Sequence, residues 1–186
     1  MIRNEYVFED TNFIYDTNWA GEYREDDRYP VRDGRRSGNI VIPSKELAME
    51  MLEDGFSVRE TTPNPEFDSD SQPEYFIKVN MGFVKDGYRS DPHKIGVLGP
   101  DGYVTLLNAD TVGMLDRKFK AGGSIRIKPN SVCCVLRPYT KGERPSLWVN
   151  ELYVEQDAEM DHFGDRFRTR PVDRLDNAMY NLDQCY

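Results

Sequence analysis

Aromatic rings and cationic side chains are interleaved in several segments of this chain. The polar stretch 16–37 carries one tryptophan, two tyrosines and five arginines. In the segment 74–83, Phe76 and Lys78 alternate with apolar residues, and in the segment 124–128, Arg126 and Lys128 do the same. Rings of this kind stack on unpaired nucleobases, at about 1–3 kcal/mol per base, while guanidinium and ammonium groups neutralise phosphates. The combination predicts an interface for single-stranded nucleic acid.

The candidate interface residues fall into two ranks. The stronger group is Trp19, Tyr23, Arg24, Arg28, Tyr29, Phe76, Lys78, Arg126 and Lys128, and the weaker group is Tyr88, Arg89, Arg137, Tyr139 and Lys141. Each has a structural alternative: a helix can cover Phe76, Trp19 can anchor its own loop, and an outward lysine or arginine can protect a sheet edge. The prediction therefore depends on several of these side chains converging on one groove.

The charge of the chain is unevenly distributed. The net charge is −9, from 33 acidic and 24 basic residues, which by itself disfavours a polyanionic partner. Residues 75–150 nevertheless hold 12 lysines and arginines against 6 acidic residues, a net +6, whereas the remainder carries −15. Because binding of a single strand depends on the local groove, the positive central segment is compatible with a nucleic-acid partner.

Signatures of catalysis and of metal binding are missing from the sequence. The two histidines, His93 and His162, have no partner at metal-ligand spacing. The turn at 99–102 (GPDG) lacks the lysine of a phosphate-binding loop, and neither a GxSxG nor an HExxH pattern occurs. The acidic residues of 75–150 occupy turn-like contexts, which disfavours a two-metal nuclease. We therefore expect no enzyme activity, no metal and no cofactor.

The cysteines and the lack of long apolar runs predict a cytoplasmic protein. Cys133 and Cys134 are adjacent in the apolar run VCCVL and Cys185 is almost terminal, a spacing that does not suit a secreted disulfide framework. No run approaches the roughly 20 apolar residues of a membrane span, and the N-terminus MIRNEYVFED is acidic. We expect reduced thiols that pack as small apolar groups, and no membrane contact.

Period-two alternation of apolar residues predicts a fold made mainly of strands. The predicted strands are 6–15, 38–42, 56–60, 74–83, 94–98, 103–107, 124–128, 132–139 and 147–155. The first is expected to bend near 10–12, Ser44 to cap a helix at 45–54, and 109–118 to be a short helix at best. Residues 61–73 are expected to form a flexible acidic loop, and the chain to comprise one domain, 1–155, with a flexible charged tail, 156–186. Strand spacings near ten residues favour a small antiparallel barrel or sandwich.

Several segments follow one another in a recognisable order: NWAG, IVIPSKELAMEMLEDGFSV, PEYFIKVNMGF, ADTVGMLD and LWVNELYVEQD, within a stretch of similarity that covers residues 13–157. Their order and local sequence resemble those of a family of small phage proteins, the OB-fold single-stranded DNA-binding proteins of phage replication and recombination. The resemblance implies an OB-like antiparallel β-barrel with extra strands and one or two short helices. It also implies sequence-tolerant binding of single-stranded DNA in the host cytoplasm, and no cofactor.

The resemblance further implies that an acidic C-terminal tail recruits replication or recombination proteins of the phage or host. In this chain four arginines follow the acidic stretch 155–165, which departs from that pattern. Two alternatives from other functional classes remain open at this point. An acidic phage-encoded inhibitor could imitate DNA and block a host protein, as the net charge of −9 would suit. A virion or scaffold protein could use an unrelated β-barrel.

Overall fold

The computed structural model describes residues 1–22, 34–62, 72–85, 88–89, 94–116 and 125–157. The strands are β1 (Tyr6–Thr11), β2 (Phe13–Asn18), β3 (Arg35–Val41), β4 (Arg59–Glu60), β5 (Tyr75–Lys85), β6 (Tyr88–Arg89), β7 (Lys94–Leu98), β8 (Val104–Leu106), β9 (Val132–Lys141) and β10 (Arg144–Glu155), and the helix is α1 (Lys45–Glu53). The expectation of a mainly β protein is confirmed.

The main sheet is mixed rather than antiparallel. Its strands follow the order β1-β9-β10-β5-β3-β2, with β4 and β6 paired to β5, and β7 paired to β10 and β8. Most pairs are antiparallel, but β10 runs parallel to both β5 and β7. The prediction of an all-antiparallel arrangement was therefore wrong. The physical reason is the long connection between β5 and β10, because parallel neighbours need a crossover of about a dozen residues or more.

The two ends of this strand path are consecutive in the chain. Only Asn12 separates β1, which pairs with β9, from β2, which pairs with β3. The Asn12 carbonyl accepts a hydrogen bond from Val41 N at 2.9 Å, and Thr11 Oγ1 donates to the Val41 carbonyl at 2.6 Å. The predicted bend coincides with this junction, since the β1–β9 register shifts between Phe8 and Thr11.

The core lies on one face of the sheet, under α1. Ile77, Val79 and Met81 of β5 and Leu147 and Val149 of β10 are buried at alternate positions, as the pleat of a strand requires. Ala48 and Met51 are the buried residues of the helix that packs against them. Alternation thus correctly predicted which side of β5 is apolar.

The ends of α1 follow the sequence signals closely. Ser44 Oγ accepts a hydrogen bond from Leu47 N at 3.2 Å, which satisfies one of the free amides of the first turn. Gly55 follows with a φ of +90°, a conformation that an L side chain resists. The helix predicted at 45–54 is therefore confirmed.

Several predicted elements are shorter than expected or differ in type. The segment 124–128, predicted as a strand, contributes only an isolated bridge between Ile127 and Gln156. The short helix predicted at 109–118 is a single 3₁₀ turn, Val112–Leu115. β7 and β8 form an antiparallel hairpin, and so do β9 and β10. The second pair is longer than the predicted strands 132–139 and 147–155, and its turn is only Gly142 and Glu143. No helix among the described residues has the length and apolarity to cross a bilayer. Most of the predicted acidic loop (63–71) and tail (158–186) lies outside the described residues.

Candidate nucleic-acid interface

Aromatic, amide and cationic side chains meet on the face of the sheet opposite the core. Trp148 of β10 pairs in register with Arg137 of β9 on one side and with Asn80 of β5 on the other, and paired residues share a face. Tyr139 lies two residues after Arg137 on the same face, and Lys78 lies two residues before Asn80. We call these five residues the aromatic face.

Direct contacts hold the centre of the aromatic face together. The ring centroids of Tyr139 and Trp148 are 6.0 Å apart at 80°, an edge-to-face pair. Asn80 Nδ2 donates a hydrogen bond to Tyr139 Oη at 2.8 Å. Trp148 and Tyr139 are half-buried, and Arg137 and Lys78 are exposed. The rings are therefore fixed in place while part of their surface stays open to solvent.

Arg137 is the uncompensated charge of the aromatic face. It is exposed, and it forms no ion pair with any residue in the part of the chain that the structure describes. An exposed guanidinium beside aromatic rings can contact a phosphate or stack on a base. The aromatic face therefore supplies rings on which bases can stack and a cation that can contact phosphates.

Tyr15 of β2 is a further exposed aromatic residue, and it explains the burial of Phe76. Its ring lies edge-on to Phe76 with centroids 5.2 Å apart, and Tyr15 is 48% exposed while Phe76 is only 5% exposed. Tyr15 has a φ of +60°, which is uncommon for a residue with a bulky side chain. The prediction of Phe76 as a stacking residue was therefore wrong, because a ring from another strand covers it.

Trp19 belongs to the core. It has no exposed surface, its ring centroid lies 5.5 Å from that of Phe13, and its indole occupies the space that a Cβ on Gly38 would need. Its place among the candidate stacking residues was therefore a misassignment. The aromatic residues of a polar stretch need not be exposed when the stretch begins at the end of a strand, as here.

Arg126 and Lys128 lie apart from the aromatic face and are neutralised. Arg126 Nε is 3.2 Å from Asp157 Oδ2, and Lys128 Nζ is 2.7 Å from Glu155 Oε1. Glu155 is seven residues beyond Trp148 along β10, roughly 23 Å at the usual rise per residue. Their predicted convergence with Lys78 in one groove was wrong, because the partners of both cations lie at the far end of the strand.

The remaining candidates are only partly within the structural description. Tyr88 and Arg89 form β6, which pairs with Lys85 and Val84, but their side chains lie outside the described part. The side chain of Lys141 also lies outside the described part, although the backbone of Lys141 pairs with that of Arg144. The loop candidates Tyr23, Arg24, Arg28 and Tyr29 lie entirely outside the described residues.

The described residues on either side of segment 23–33, which contains those four candidates, are held by hydrogen bonds. Asp116, which is buried, accepts hydrogen bonds from Trp19 N, from Ala20 N at 3.0 Å and from Thr17 Oγ1 at 3.3 Å. Burial raises the pKa of Asp116, although these hydrogen bonds act in the opposite direction. Asn18 Nδ2 donates to the carbonyl of Arg35 at 3.4 Å, joining the strands on either side of the loop.

Buried Arg36 and Cys134 are structural groups. Arg36, at the start of β3, has no exposed surface and donates from Nη2 to the Ala109 carbonyl at 2.7 Å. Cys134 is buried on β9, and burial raises the pKa of its thiol far above the usual value, which keeps it protonated. The reading of this cysteine as a small packing residue is consistent with that position.

No family model, curated protein or solved structure matches the chain. Within the described ranges, no group of three or more histidine, cysteine, aspartate or glutamate side chains is placed to hold a metal ion.

Proposed function

We propose that this chain binds single-stranded DNA without catalysing a reaction on it, in the manner of the phage replication and recombination proteins that its sequence resembles. The observation that carries the proposal is the fixed Tyr139–Trp148 ring pair with exposed Arg137 cross-strand from Trp148. Bases stack on such rings whatever their identity, and cations beside them contact the phosphates, so the binding is sequence-tolerant.

The shape of the ring pair supports stacking. In an edge-to-face pair at least one ring contacts its neighbour only by its edge, so its flat surface can take a further contact. Tyr139 is held by the hydrogen bond from Asn80, and both rings rise from paired strands. A rigid ring loses little conformational freedom when a base stacks on it, which favours affinity.

The strand order supports an OB-like barrel as the finer description of the fold. If β1 and β2 are treated as one bent strand, the path through β3, β5, β10 and β9 returns to the strand from which it began. A five-stranded cycle of this kind corresponds to the OB fold, whose second and third strands and adjoining loops bind oligonucleotides. On this assignment those two strands are β3 and β5, and β5 carries Lys78 and Asn80 of the aromatic face.

The distribution of charge favours a nucleic-acid ligand over DNA mimicry. A mimic presents uncompensated carboxylates, but three acidic residues on the far half of β10 and just beyond it are paired with cations. The pairs are Glu151 with Lys94, Glu155 with Lys128 and Asp157 with Arg126. The aromatic face itself adds exposed Arg137 and contains no acidic residue.

Titration of fluorescently labelled oligo(dT) and of a duplex of equal length, each at low and high salt, tests the proposal. We expect preference for the single strand and weaker binding as salt rises. Trp148→Leu should weaken oligo(dT) binding by roughly 5- to 150-fold, the equivalent of one lost stacking contact. Tyr103→Leu is the matched control, since Tyr103 is an exposed ring outside the aromatic face. Equal affinity for both variants, or no binding by the native chain, would overturn the proposal.

A further inference from the structure

Asn80 carries a buried hydrogen-bond acceptor that no described residue satisfies. The side chain is only 8% exposed, its Nδ2 is committed to Tyr139 Oη, and its Oδ1 receives no hydrogen bond within the described part of the chain. The great majority of buried polar side-chain atoms in folded proteins have a partner, and an orphaned one weakens the fold. A ligand that donates to Oδ1 would remove this deficit.

The position of Asn80 connects the unsatisfied acceptor to the aromatic face. Asn80 pairs in register with Trp148 of β10 on one side and with Ser37 of β3 on the other. The acceptor therefore lies beside the indole on which a base would stack. Trp148 is half-buried, and a small displacement of its indole that keeps the edge-to-face contact with Tyr139 would bring Oδ1 within reach of that base.

We propose that Asn80 Oδ1 and the Tyr139 hydroxyl form a base-reading subsite for adenine or cytosine within the single-strand interface. The inference rests on the proposed function and adds to it a preference for these two bases. On their Watson–Crick edges both bases carry an exocyclic amine next to an unprotonated ring nitrogen, whereas the ring nitrogen beside the guanine amine on that edge is protonated. The amine donates to Oδ1, and the Tyr139 hydroxyl, whose oxygen accepts from Asn80, still has its own proton to donate to the ring nitrogen.

Thymine fits the same pair of groups less well. Its only Watson–Crick donor is a ring N–H that lies between two carbonyl oxygens. When this N–H approaches the recessed Asn80 Oδ1, a thymine carbonyl oxygen is brought close to Oδ1 as well, and two acceptor oxygens repel each other. An exocyclic amine projects beyond the ring and reaches further. The subsite thus gives a modest preference to an interface that otherwise tolerates any base.

The test compares oligo(dA) with an oligonucleotide of equal length built from 2′-deoxynebularine, a purine nucleoside that lacks the amine. Both present purine rings for stacking, so the difference isolates the amine. We expect the native chain to bind oligo(dA) roughly two- to tenfold more tightly, the range of one neutral hydrogen bond. Asn80→Leu should abolish this ratio, whereas the same exchange at exposed Asn4, outside the sheet, should leave it intact.

The possible results separate the two proposals. Equal binding of both oligonucleotides by the native chain overturns the subsite but leaves single-strand binding in place. A ratio that survives in Asn80→Leu also overturns it, because the preference would then come from stacking alone. Binding of neither oligonucleotide, nor of oligo(dT), overturns the proposed function itself. The comparison on the native chain needs no variant to fold.

Discussion

Trp148 and Arg137 lie directly opposite one another on the β9–β10 ladder, which sets a half-buried indole beside an exposed guanidinium. Cross-strand neighbours on one face have Cβ atoms about 5 Å apart, close enough for one nucleotide to touch both side chains. The pair therefore offers a stacking surface and a phosphate contact at a single level of the sheet.

The first prediction concerns tryptophan fluorescence. The chain has two tryptophans, of which Trp19 is fully buried and Trp148 is half-buried. We expect oligo(dT) to change the emission of Trp148 only, because stacking alters the surroundings of that ring. The response should persist in Trp19→Phe and disappear in Trp148→Phe. A response that depends on Trp19 would contradict the assignment of the interface.

The second prediction concerns the salt dependence of binding. Arg137 has no ion pair among the described residues, whereas Lys128 is paired with Glu155. A cation that neutralises a phosphate of a single strand contributes about 0.7 to the slope of log K against log salt. Arg137→Gln should therefore reduce the slope by about this amount, and Lys128→Gln should leave it unchanged. Titrations at four or five salt concentrations measure both slopes.

The third prediction concerns Trp19 and stability. Its ring fills the space against Gly38 and Phe13, so removing it leaves a large cavity. Trp19→Ala should lower the free energy of unfolding by about 3–5 kcal/mol, measured by urea denaturation. Leu52→Ala removes an exposed side chain of α1 and should change it by less than about 1 kcal/mol. Comparable losses in both variants would show that Trp19 is not a core residue.

The fourth prediction concerns Asp116, which anchors the loop after β2. Its two carboxylate oxygens accept hydrogen bonds from Thr17, Trp19 and Ala20. Asp116→Asn replaces one oxygen with an amide NH₂ group, so at least one of these donors loses its acceptor. We expect a loss of about 1–3 kcal/mol in the free energy of unfolding.

The pH dependence of that loss has a definite sign. Burial raises the pKa of Asp116 above its usual value of 3.8, so the folded chain binds this proton more tightly than the unfolded chain. The contribution of the carboxyl to stability is then fully present below about pH 3.8 and declines as the pH rises through the raised pKa. Because asparagine does not titrate, the stability difference between the native chain and the variant should shrink with rising pH. Urea denaturation from about pH 3 to pH 8 would refute this if the difference grew instead.

The sequence by itself determined the local features of the fold. Alternation in β5 and β10 separated Ile77, Val79 and Leu147 from outward Lys78, because the pleat of a strand depends only on neighbouring residues. The same alternation could have identified Trp148 as outward, since it lies between buried Leu147 and Val149. The helix at α1 followed in the same way from its N-terminal cap and its terminal glycine.

The tertiary structure alone decided which outward residues share a surface. Asn80 and Trp148 are far apart in the chain and meet only because β5 and β10 pair in parallel. The cover that Tyr15 forms over Phe76, and the ion pairs of Arg126 and Lys128, likewise join segments distant in sequence. Alternation assigns a residue to a face of its own strand, but long-range pairing chooses the neighbours of that strand, and pairing is not a local property.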